Sequence, residues 1–322
     1  MGRYAVRRLG AASLTVFLVV TLTFFLAHLA PGEPMLGDVE RLRADPVRVQ
    51  ALRAQFGLDR PLLVQYGRYL SNVARGNLGE SFVMRRPVRA ALAERLPRTA
   101  LLAGLALLAA FGLGIAIATV QAARAGSATD ALLGAATLVF HSLPTFWLGL
   151  VLMVVFSQWL GWLPVSGMTT PVEYERLGVM GRMVDVARHL LLPALTLALV
   201  QLAEIARFQR GALVDALGAE FVRAARARGL TDQAVLVRHA LRSALAPVVT
   251  LAGTSLPMLL AGSVLVESVF GWPGMGRLTH EAILARDYNV ILGAGLVTGL
   301  LVALGSLAAD LAANALDPRS AA

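Results

Sequence analysis

Residues 9–30, LGAASLTVFLVVTLTFFLAHLA, contain no Asp, Glu, Lys or Arg, and a helix of that length covers the roughly 30 Å hydrocarbon core of a bilayer. Predominantly apolar runs recur at 99–122, 131–159, 190–205, 245–266 and 290–311. Inside lipid no water is available to bond a free N–H or C=O, so such runs are held to structures that satisfy their own backbone, and runs of this length do so as helices. With 57% hydrophobic and only 15% charged residues, the chain falls well outside soluble composition. The pattern predicts an all-α integral membrane protein with about six transmembrane helices. The first run is too long for the core of a secretory signal, and cleavage after Ala30 would put His28 at the third position back, so it reads as a retained span.

The polar segments divide the chain. Residues 1–30 form an N-terminal transmembrane helix, 31–98 an extracytoplasmic loop region, 95–314 the main transmembrane domain and 315–322 a cytoplasmic tail. Within 31–98, Pro46 with Gly57, Pro61 with Gly76, and Pro87 with Pro97 mark three helical pieces. A loop of that length suggests a docking or gating role. Six spans put both termini on one side, and the short loops of that side carry eleven arginines against five (Arg176, Arg182, Arg188, Arg277, Arg286) opposite, which makes it the cytoplasmic side. Gly104, Gly112 and Gly114 suit close helix contact in the second span. Glu204 and Arg207, three apart at the end of the fourth, are spaced to pair. The third span is interrupted by His141 and Pro144, candidates for lining a solute path, with a packing kink as the alternative. Trp147, Trp159 and Trp162 suit interfacial anchoring.

Between the fourth and fifth runs lies a polar stretch with helical patterning, GAEFVRAARARGLTDQAVLVRHALRSALAP, from Gly218 to Pro247. Leu213, Leu217, Phe221, Val222 and Ala225 fall near helical spacing, while Arg223, Arg226 and Arg228 fall largely elsewhere. Gly229 follows as a left-handed terminator, and Thr231 with Asp232 supplies a new start. The expectation is helix, sharp turn, helix at a membrane surface. On pattern alone the arginines suit anionic lipid headgroups.

The residues of this stretch resemble the cytoplasmic EAA loop of membrane subunits of ABC importers, through Ala224, Ala225, Gly229 and Leu241. In fuller form the stretch is similar to the peptide/nickel branch of that family, and Glu220, Arg223, Arg226, Leu230 and His239 rest on that branch pattern. FGLDRPLLVQYGRYL, GNLGESFVMRRPV, HSLPTFWLGL and ESVFGWPGMGRLTHEAILARDYNV resemble the branch as well, so the likeness runs from Arg3 to Arg319. The general motif has Glu directly before its two alanines, where this chain has Arg223, and its Ile and Pro positions are His239 and Arg242 here. The role of that glutamate therefore does not transfer.

The resemblance implies a type I importer fold in a bacterial or archaeal cytoplasmic membrane, with residues 211–244 as the coupling segment. It implies a second homologous permease subunit, two ABC ATPase subunits that use ATP, and an extracytoplasmic solute-binding protein. It makes di- or oligopeptide the leading solute, with nickel or oligosaccharide as others.

Much chemistry is excluded by composition. Cysteine is absent, and so is lysine, all 29 basic residues being arginine. No thiolate site, Schiff base or Walker A lysine can be built. His280-Glu281 lacks the second histidine of a zinc-protease helix, no G-x-S-x-G elbow exists, and Pro164-Val165-Ser166-Gly167 lacks the first glycine of an intramembrane serine-protease signature. No catalytic residues, metal site or cofactor site is expected. The net charge of +9 is spread along membrane flanks, which argues for lipid and against nucleic acid as its counterpart. An ion-coupled secondary transporter and an intramembrane enzyme are the alternative classes. The first calls for inverted repeats around midplane polar breaks, and the second for residues that are missing.

Overall fold

The computed structural model describes residues 2–30, 59–245 and 263–316, together with positions 47, 50, 248, 251, 252 and 255. In chain order the helices are α1 (Gly2–Leu29), α2 (Leu62–Ala74), α3 (Val88–Ala123), α4 (Ala128–Ser142), α5 (Thr145–Met153), α6 (Val179–Gly218), α7 (Glu220–Ala227), α8 (Met275–Ala285) and α9 (Tyr288–Leu316). A π-helical turn, Val154–Trp159, continues α5; short pieces lie at Glu173–Arg176, Asp232–Ala234, Val235–Ala240 and Leu241–Ala244. Arg8–Leu29, α3, α6 and Tyr288–Ala308 are each long and apolar enough to cross a membrane, and α4 with Thr145–Trp159 makes a further pair bent by 103°. The run at 245–266, expected as a span, lies largely outside the described residues, as do the helical piece at 46–57 and most of the tail.

Several boundaries differ from the expectation for identifiable reasons. Pro97 does not end a helix: α3 passes through it for 36 residues, about 54 Å at 1.5 Å per residue. A proline within a membrane helix forfeits one bond, here to Ala93, which such helices tolerate. The expected outer loop at 164–188 is helical from Val179 onward, because α6 is 40 residues long and overshoots the apolar run it contains. The third span is two helices rather than one tilted rod; Leu143 is extended (ψ 138°) and Pro144 starts α5. Of the three glycines in the second span, only Gly114 is in close contact, where a Cβ would fall 2.8 Å from the Ile205 side chain; Gly104 and Gly112 have open space.

The chain forms two compact units. In the first, residues 1–98 and 274–303, α1 buries Val20 and Phe24, and Phe24 stacks on His28 and Tyr69. Small residues let α9 approach its neighbours: an added Cβ at Gly293, Gly295 or Gly299 would lie 2.7, 3.0 or 3.1 Å from Val88, Thr23 and Val19 respectively. Helix pairing in lipid depends on such close fit, because lipid tails are as apolar as the helices. Asp287, almost fully buried, accepts from the Ser81 hydroxyl and from the Val83 amide at 3.1 Å, which fixes the turn at 80–87 against the start of α9.

In the second unit, residues 99–273 and 304–322, the core is formed by Leu102, Ala106, Leu190, Leu192, Leu197, Val266, Phe270 and Trp272. Buried Glu267 accepts a hydrogen bond from the Thr99 hydroxyl at 2.7 Å. A second cluster, with Ala118, Ala122, Leu213, Ala216, Ala240 and Ala244, seats the segment after α7 against α3 and α6.

Candidate functional site

The polar stretch after α6 folds as a helix, a left-handed turn and a second helical segment. It is not one helix with Leu213 and Leu217, as their spacing suggested: Ala219 is extended (φ −73°, ψ 156°) and separates α7 from α6. Along α7, Val222 and Ala225, three apart, face inward and close on Val235, with Leu217 packed beside them. The turn satisfies the end of α7 in a defined way. Gly229 N–H donates to the Arg226 carbonyl at 2.9 Å and Leu230 N–H to the Ala225 carbonyl at 3.4 Å, the paired bonds of a Schellman motif. Gly229 has φ +83°, a region that costs an ordinary residue free energy, and nothing lies within 4 Å of a Cβ placed there. Thr231 then caps the next segment, its Oγ1 accepting from the Ala234 amide at 3.3 Å. Arg226 ties the two sides, its Nε donating to Asp232 Oδ1 at 3.1 Å.

Of the nine residues singled out in this stretch, Glu220, Arg223, Ala224, Arg226, Gly229, Leu230 and His239 are exposed. The other two face inward. Ala225 is buried in the small cluster just described, and Leu241 packs against the alanine-rich cluster with Leu213. Close approach through Ala225 is therefore spent inside the chain, and Ala224 is the small residue left on the outer face. Glu220 and Arg223 approach only to 3.9 Å with both side chains largely exposed, a pair that holds little in place.

A second feature of the same unit was not anticipated from sequence. Asp130 lies near the start of α4, where the Ser127 side chain caps the helix, and it is engaged on every side. Arg210 of α6 donates to it through Nε at 2.8 Å and Nη2 at 2.6 Å, the Gly126 amide donates at 3.0 Å, and Gln121 of α3 donates its amide at 3.3 Å. A bidentate guanidinium–carboxylate pair fixes orientation as well as distance, so one carboxylate ties α3, α4 and α6 together. Beside it opens a cavity of about 420 Å³, lined by α4 from Ser127 to His141 and by Ala203, Arg207 and Arg210 of α6. His141 Nδ1 donates to the Val200 carbonyl at 3.1 Å. Pro144 does not line this cavity; it sits at the break between α4 and α5. Arg207 does not pair with Glu204 as the spacing suggested, and it faces the cavity instead. Among the described residues no group of three or more His, Asp or Glu side chains is placed to hold a metal ion.

Ser127 followed three residues later by Asp130 is a helix-start signature, so Asp130 had a local signal. Its partner Arg210 lies 80 residues away and had none. The arrangement offers an exposed polar turn held on an apolar seat, and a mainly apolar cavity between helices into which a few polar side chains project.

Comparison with known proteins places the chain in a family. Residues 110–321 match the family model of the binding-protein-dependent transport system inner membrane component, and residues 1–103 match the N-terminal model of the same membrane component. The di/tripeptide transport system permease protein DppB of Pseudomonas aeruginosa (strain UCBPP-PA14) is 39% identical over 98% of both chains. The oligopeptide transport system permease protein AppB of Bacillus subtilis (strain 168) is 36% identical over 99% of both. The dipeptide transport system permease protein DppB of Escherichia coli (strain K12) is 34% identical over 99% of this chain and 98% of its own. Among solved structures, an amino acid ABC transporter crystallised with histidines covers 69% of this chain and 92% of its own, at 15% identity and a TM-score of 0.49. With both family models matched and relatives aligned end to end, this chain belongs to the binding-protein-dependent transport system inner membrane components, all-α permease subunits that cross the membrane several times.

Proposed function

We propose that the chain is the permease subunit of an ATP-driven importer of di- or oligopeptides. The observation that carries this is the end-to-end identity of 34–39% with permeases of di/tripeptide, dipeptide and oligopeptide transport systems. A second permease subunit of similar fold completes the path, a solute-binding protein delivers the peptide from outside, and two separate ATPase subunits supply the energy. Both termini and residues 208–243 face the cytoplasm. The exposed face of α7, through Glu220, Arg223, Ala224 and Arg226, with Gly229, Leu230 and His239, docks on an ATPase subunit. Closure of the ATPases then moves the turn and, through its alanine-rich seat on α3 and α6, the spans behind it. Such transmission needs a stiff connection, which the Schellman turn and the buried Val222, Ala225 and Val235 provide.

The test is reconstitution in proteoliposomes with the second permease, the ATPases and the binding protein. Labelled peptide should accumulate only with ATP inside, and the purified chain alone, which has no lysine for a Walker A loop, should hydrolyse none. Accumulation driven by an ion gradient without ATP would instead make it a secondary transporter.

A further inference from the structure

The cavity beside the Asp130–Arg210 pair has a charge pattern that the pair itself does not account for. Asp130 is the acidic side chain lining it, and its carboxylate is already met by Arg210, the Gly126 amide and Gln121. Arg207, which also lines it, is exposed and makes no ion pair or hydrogen bond among the described residues, so an unpaired guanidinium stands at the edge of the cavity. At its other end, His141 spends Nδ1–H on the Val200 carbonyl, which leaves Nε2 as a free acceptor in the neutral ring. The imidazole is exposed on a helix pair apolar enough to cross a membrane, and polar side chains in such helices face a bundle interior or a water-filled cavity. The cavity thus has a guanidinium at one end and an imidazole with its Nε2 unengaged at the other.

The separation of the two ends can be read from the helix. Val200, beside His141, lies seven residues before Arg207 on α6, about 10 Å along the axis. Three residues of extended peptide span about 10 Å. The volume of about 420 Å³ lies within the range of small-molecule sites, roughly 300–1,000 Å³.

We propose that this cavity is a transit site for a short zwitterionic peptide, with the terminal carboxylate held by Arg207 and the N-terminal N–H groups directed to His141 Nε2. The inference rests on the peptide-permease reading above and gives it a position in the chain. The shared chemistry is an anion on Arg207, which a phospholipid phosphate could also supply, and the experiment separates the two.

The absence of native cysteine makes Thr137→Cys the reporter. Its side chain lines the cavity and is otherwise buried, with Leu138→Cys as a second reporter should the first fail to assemble. In the complete complex in nanodiscs, the modification rate by a small thiol reagent is measured with millimolar trialanine, with trialanine amide, and with neither. Trialanine should slow modification at least about fivefold and the amide should not. Arg207→Gln should remove the protection and Arg207→Lys should keep part of it. Protection that follows phosphatidylglycerol content and ignores trialanine would overturn the proposal in favour of a lipid, and equal rates in all conditions would overturn it outright. Trialanine uptake by the same complex is measured in parallel. Uptake without protection defeats the cavity assignment alone, whereas no uptake of any peptide defeats the permease reading beneath it.

Discussion

Replacing Gly229 separates two ways in which a glycine can matter at the turn after α7. The residue sits at φ +83°, and no atom lies within 4 Å of a Cβ built on it. The added methyl of Gly229→Ala therefore meets nothing inside the chain, and its cost is that of placing an L-residue in the left-handed region, about 1–2 kcal/mol. Gly229→Asn costs less, since asparagine enters that region more readily, and Gly229→Val costs more because its branched Cβ crowds the backbone. The Gly229 and Leu230 amides donate the two bonds of the turn, so their hydrogen exchange reports its opening. A loss of 1–2 kcal/mol corresponds to about 5–30-fold faster exchange in Gly229→Ala. The order expected is wild type, Asn, Ala, Val, with peptide uptake in the reconstituted complex declining in the same order. If Gly229→Asn exchanges as slowly as wild type yet loses uptake as completely as Gly229→Val, then the glycine gives room to a docked partner and the backbone argument is wrong.

Ala224 and Ala225 are adjacent but should behave differently. Ala224→Trp is expected to weaken ATPase association with little change in exchange across 220–240, whereas Ala225→Trp should speed that exchange because its ring cannot fit among Val222 and Val235; equal effects of the two on exchange would refute the assignment of faces. Asp130→Asn and Arg210→Gln should each lower the thermal midpoint of the purified protein, and the double variant should fall short of their sum because one pair is lost in all three. Simple additivity would show that the pair does not couple α4 to α6. For topology, Asn72→Cys should label with an impermeant reagent from outside and Arg226→Cys only after the cytoplasmic face is opened; the reverse pattern would invert the proposed orientation.

What could be read from sequence and what could not divide along the range of the interactions involved. The turn at Gly229 and the cap at Thr231 were legible because both are set by residues within a few positions of one another, and their bonds form as the pattern indicated. The all-helical membrane fold was legible from apolar run length. Helix ends were less so: hydropathy marks where lipid begins, while α6 continues as helix past its apolar stretch and α3 passes through Pro97. The side of α7 that Ala225 occupies was obscured because both of its faces carry small residues, and only the position of Val235 decides between them. The cavity was invisible since it is made by Asp130, His141, Arg207 and Arg210, which come together through the packing of α4 on α6. His141 had drawn notice as a polar interruption, but Arg207 looked like a local partner for Glu204.

The glycine contacts between α9 and α1 bear on how the protein is made. Gly295 and Gly299 meet Thr23 and Val19, so α1 is matched to a helix synthesised long after it. At about 5–20 residues per second, some 270 residues of synthesis separate them, roughly 15 to 55 seconds. Through that interval α1 must reside in the bilayer without its mate, and its side chains suit the wait: Leu14, Phe17, Leu18, Leu22 and Leu26 are all exposed even in the finished chain. A translation arrest or truncation before residue 290 would thus leave an inserted but unclosed protein, with Val19 and Thr23 bare to whatever helix, or membrane protease, finds them first.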